Sequence, residues 1–171
     1  GQIRDLGAYG WKGAAILISH GYVVDKMLAF LVESKQAEAT DLMLKALKKY
    51  HTNIGVRASH MDALSQTESA DAAAYCLEIY LNKEHDTDIR IVAFQAAAGL
   101  LEKPAVRKNG ASITPLLLKM MAAKSAEDRW LGALQLLRID GVASLDKVLD
   151  HFKDDVAYGQ QQTPVSRSLI D

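Results

Sequence analysis

The side chains able to do chemistry are few in kind and widely spaced. His20, His51, His60, His85 and His151 are the five histidines. None stands in a His-Glu dipeptide or in the HExxH spacing that sets two imidazoles and a carboxylate on one helix face, which argues against zinc-peptidase chemistry. Glu84-His85-Asp86 is the densest group of potential ligands, but Asp86 is needed to cap the helix that follows, so the tripeptide reads as a loop. Cys76 is the only cysteine, and Ala73, Tyr75, Leu77 and Tyr80 around it give an apolar setting that keeps a thiol inert. No Gly-x-Ser-x-Gly offers a nucleophile elbow, and Gly7, Gly10 and Gly13 follow no strand and lack the Lys-Ser/Thr phosphate grip. The expectation is therefore no catalytic residue, no metal and no cofactor.

What does recur is an arginine four residues after a helix-capping side chain. Asn53 precedes Arg57, Asp86 precedes Arg90, Ser125 precedes Arg129, and Thr163, followed by Pro164, precedes Arg167. The intervals between the arginines are 33, 39 and 38 residues, about one helix pair of an α-solenoid. Each preceding oxygen can accept from the unpaired amides of the first turn, which stabilises a helix by about 1 kcal/mol. Three, four and seven residues after the arginines come His60, Met61 and Leu64, then Ala93, Phe94 and Ala97, then Gly132, Ala133 and Leu136. These are single helical stripes of small or apolar residues suited to facing a neighbour. An arginine on the first turn opposes the helix dipole, so its repetition calls for a partner outside the helix: a carboxylate or carbonyl of an adjacent repeat, or alternatively a ligand anion.

With Val56-Arg57 and Ile89-Arg90 followed by small residues, the chain resembles the HEAT-like and armadillo-like helical repeat families from about residue 34 to 171. The resemblance implies an all-α fold, an α-solenoid of about four to five stacked antiparallel helix pairs, with Arg57, Arg90, Arg129 and Arg167 as a structural ladder. It also implies that the second helix of each pair lines the concave side and offers the binding surface.

The elements that would position these groups follow from apolar spacing and punctuation. Helices are expected over residues 9–19, 22–34, 36–50, 54–66, 70–82 and 87–101. Residues 104–112 break the pattern with the Asn109-Gly110 turn signal, and Thr114-Pro115 restarts a helix to about residue 124 with Thr114 as the cap. The Arg129 helix should end near Asp140-Gly141, and Leu145, Val148, Leu149 and Phe152 form the next stripe after Ser144. No segment sustains strand alternation. Residues 1–171 are expected to be one solenoid domain, and the start at Thr163-Pro164 so close to Asp171 reads as part of a longer repeat protein.

Twenty Lys and Arg against 21 Asp and Glu leave a formal charge of −1, which provides no global attraction to nucleic acid or anionic lipid. A single cysteine excludes an internal disulfide framework, and no apolar run reaches the ~18 to 20 residues that span a bilayer, so a soluble, reducing, cytoplasmic setting is expected.

Two surfaces remain as candidate sites. Positions one, two and five after each arginine point away from the buried stripe: Ala58, Ser59 and Asp62; Ile91, Val92 and Gln95; Trp130, Leu131 and Leu134. Ile91, Gln95, Trp130 and Leu134 are the expected contacts for a protein or peptide partner, because tryptophan is enriched in interface hot spots; burial between repeats is the competing explanation of the apolar third set. Lys103, Arg107 and Lys108 surround Pro104 and form a basic loop that an acidic partner or phosphate could use, though three solvated cations are ordinary. The expected role is a non-catalytic interaction scaffold. The alternative is a HEAT-like enzyme resembling the DNA alkyl-glycosylases, invited by Asp128, Arg129 and Trp130 in sequence and opposed by the balanced charge.

Overall fold

The computed structural model describes residues 25–49 and 54–157, together with Gly10 and Gly13. Apart from Gly10 and Gly13, the expected helix over 9–19 lies outside the described residues, as do the Asn53 cap and the Thr163, Pro164 and Arg167 start. Within them every regular element is helical and no strand occurs. The chain divides into two compact units, one through Val106 and one from Arg107.

The first unit is built from α1 (Asp25–Glu33), α2 (Ala37–Lys49), α3 (Ile54–Ser65), α4 (Ala70–Leu81) and α5 (Thr87–Leu101). The starts of α4 and α5 are set by polar oxygens that accept first-turn amides: Ser69 Oγ from Ala72 N at 3.1 Å and Asp86 Oδ1 from Asp88 N at 2.9 Å. Helix α1 ends where Lys35 enters the left-handed region at φ 51° and Lys35 N donates to Val32 O.

Short connections fold α4 back onto α5, and both sides of this hairpin bury small residues: Ala72, Ala73 and Cys76 on α4, Ala93, Ala96 and Ala97 on α5. Small side chains let two helices approach closely over many turns. Helix α3 packs against both α1 and α5, so the helices carrying Arg57 and Arg90 are neighbours. His60, Met61 and Leu64 of α3 are buried, as are Ala93 and Ala97 of α5, while Phe94 is half-buried against Tyr80 with ring centroids 4.8 Å apart.

Residues 104–112, expected as an irregular break, are more ordered than that. Pro104 opens the short helix α6 (Pro104–Lys108), inside which the boundary between the units falls, and a 3-10 turn spans Gly110–Ser112. Proline at a first helical position costs no backbone bond, so the residue that signals a break here also starts a helix.

The second unit contains α7 (Thr114–Met121), α8 (Ala126–Asp140) and, after a 3-10 turn over Gly141–Ser144, α9 (Leu145–Ala157). Ser125 caps α8 by accepting from Asp128 N at 3.3 Å. Thr114 does not cap α7. Ile113 holds the cap position and Thr114 Oγ1 donates instead to Gly110 O at 3.3 Å, because the preceding 3-10 turn leaves that carbonyl within reach. Gly132 carries the close approach of α8 to α7: a Cβ there would lie 2.9 Å from Leu117 O and from Met120 Cβ. Val148 and Phe152 bury the inner face of α9, Leu145 is half-buried, and Leu149 is 44% exposed, so the α9 stripe is narrower than its spacing implied.

Candidate interaction surface

The recurrent arginine has a definite job in both units. Arg90 Nε donates to Tyr80 O at 2.8 Å, and Arg129 Nη1 donates to Lys124 O at 2.9 Å and Ala123 O at 3.3 Å. In each case the side chain leaves the first turn of its helix, α5 or α8, and reaches a carbonyl in the last turn of the preceding helix or in the connection that follows it. Tyr80 O lies in the last turn of α4, where no amide further along the helix takes it, and Ala123 O and Lys124 O lie in the connection after α7, so the guanidinium supplies donors that helical bonding does not. Arg57 is 5% exposed and hydrogen-bonds the Tyr75 side chain, while its Nε and Nη2 are buried without an acceptor among the described residues. Tyr75 also receives Lys48 Nζ over its ring, 5.2 Å from the centroid. Burial pushes the Tyr75 phenol above its ordinary range, with the Arg57 charge pulling the other way.

Two more cationic or N–H side chains serve helix ends in the same manner. Lys103 Nζ donates to Ser65 O at 2.8 Å and Thr67 O at 2.6 Å, closing the C-terminus of α3. His151 Nε2 meets Met121 O, the last carbonyl of α7. Neither contact has a local sequence signal: a lysine just past α5 is expected to serve its own helix, and here it serves the neighbouring one. Burial lowers the Lys103 ammonium below its ordinary range, opposed by the charge of Glu68.

The basic loop is thereby divided. Lys103 spends its donors on α3, whereas Arg107 and Lys108 belong to the second unit, the former half-buried and the latter exposed.

On the outward face of α5, Ile91 is 49% exposed and Gln95 is exposed, with Val92 half-buried between them. The opposite face of α5 buries Ile89, Ala93, Ala96, Ala97 and Leu100. On α8, Trp130, Leu131 and Leu134 are all half-buried, while Gly132, Ala133 and Leu136 are buried. The Trp130 indole Nε1 and Gln135 Oε1 are buried without hydrogen-bond partners among the described residues. On α3, Ala58 and Ser59 are half-buried and Asp62 is exposed. The Cys76 thiol is fully buried and pushed up to about 12 by that burial, which suppresses the thiolate that nucleophilic chemistry needs.

A cavity that the sequence did not announce lies in the first unit, between the α1–α2 and α3–α4 turns. It is an open groove of about 690 Å³, bordered among the described residues by both turns, including Leu31, Val32, Glu33, Lys35, Asp41 and Glu68.

Comparison with protein-family models, curated proteins and solved structures found no match for the chain. No helix among the described residues is long and apolar enough to cross a membrane.

Proposed function

We propose that the chain is a non-catalytic interaction module, a HEAT-like solenoid of about four to five helix pairs whose second helices bind another protein or a peptide. The observation that carries this reading is the face of α5. A helix whose inner side is packed with alanines presents Ile91 at 49% exposure beside the exposed Gln95 on its outer side. An apolar side chain next to an amide donor and acceptor is the composition of a contact surface. In the second unit Trp130 and Leu134 supply the corresponding positions on α8, with part of each side chain open to a partner.

The arginines fit a structural role, since Arg90 and Arg129 are engaged with main-chain carbonyls. The balanced charge of the chain weighs against a glycosylase-like enzyme, whose affinity would rest on phosphate contacts.

Affinity capture with the chain, comparing wild type with Ile91→Asp and Trp130→Ala, tests the reading. A partner retained by wild type should be lost with Ile91→Asp and bound more weakly by at least ~1 kcal/mol with Trp130→Ala. Undiminished binding by both variants, with circular dichroism confirming their fold, would refute it.

A further inference from the structure

We draw no further inference here: the strongest candidate, the exposed apolar edge of the second unit at Val142 in the 3-10 turn and Leu149 on α9, carries nothing because nothing in the structure shows what covers it.

Discussion

Arg90 engages Tyr80 twice: Nε donates to the Tyr80 carbonyl at 2.8 Å, and the guanidinium carbon lies 5.6 Å from the centre of the Tyr80 ring. One side chain therefore closes the backbone end of α4 and covers the aromatic side chain projecting from it. Tyr80 in turn stacks on Phe94, one helical turn beyond Arg90. The start of α5 and the end of α4 are thus joined by a hydrogen bond, a cation over a ring and a ring pair.

Replacing Arg90 with Ala removes the first two of these contacts and leaves a half-buried carbonyl without its charged donor. A loss of about 1–3 kcal/mol is expected in urea unfolding. Arg90→Lys should recover part of this, since an ammonium keeps the charge over the ring without reproducing the guanidinium fork. Partner affinity of the folded variants should be unchanged.

Gly132 marks the close approach of α8 to the backbone of α7. Gly132→Ala places a methyl against Leu117 O and the Met120 and Met121 backbone region, forcing α7 and α8 apart, and should cost about 1–3 kcal/mol in thermal or urea unfolding. The gain in helix propensity from Gly to Ala, about 1 kcal/mol, opposes it. Gly99, where an added Cβ meets nothing within 4 Å, is the control: Gly99→Ala keeps the propensity gain alone and should stabilise.

Lys35 holds a backbone conformation that an L side chain adopts at a cost of roughly 1 kcal/mol. Lys35→Gly should raise stability by up to that amount in urea unfolding, offset by the greater freedom of glycine in the unfolded chain.

Burial of Cys76 has an alkaline signature. Burial keeps the thiol protonated in the folded chain up to about pH 12, whereas an ordinary thiol gives up its proton near 9.0. Between those values the unfolded chain gives up the proton and the folded chain keeps it, so stability falls as pH rises. The expected slope is up to about 1.4 kcal/mol per pH unit from this group. Unfolding free energies measured from pH 8 upward should fall more steeply for wild type than for Cys76→Ala, whatever the offset between them at neutral pH.

Much of the helical framework was legible because short polar caps and small-residue stripes act locally. Ser69, Asp86 and Ser125 accept first-turn amides, and α5 covers the residues its pattern delimits, 87–101. Local pattern misleads where a neighbouring element competes for the same atom. Thr114 gives its hydroxyl to Gly110 O and no longer caps, and Leu149 falls outside the contact that Val148 and Phe152 make. Of the candidate site, the exposure of Ile91 and Gln95 follows from counting around α5. The commitment of Lys103 to α3, across 36 and 38 residues of chain, and the cavity beside α1 do not, because both depend on how one turn lies against another distant in sequence.

That separation has a consequence for the order in which the molecule is made. On the ribosome the chain emerges from its N-terminus, and the α3 carbonyls that Lys103 closes are exposed to water until the end of α5 has left the exit tunnel. A nascent chain halted within α5 lacks the Lys103 contacts and keeps at the α3 end the local bonds of Gln66 and Thr67, so its last turn is expected to open more readily there. Emergence of residue 103 is the moment at which the α3 end becomes protected.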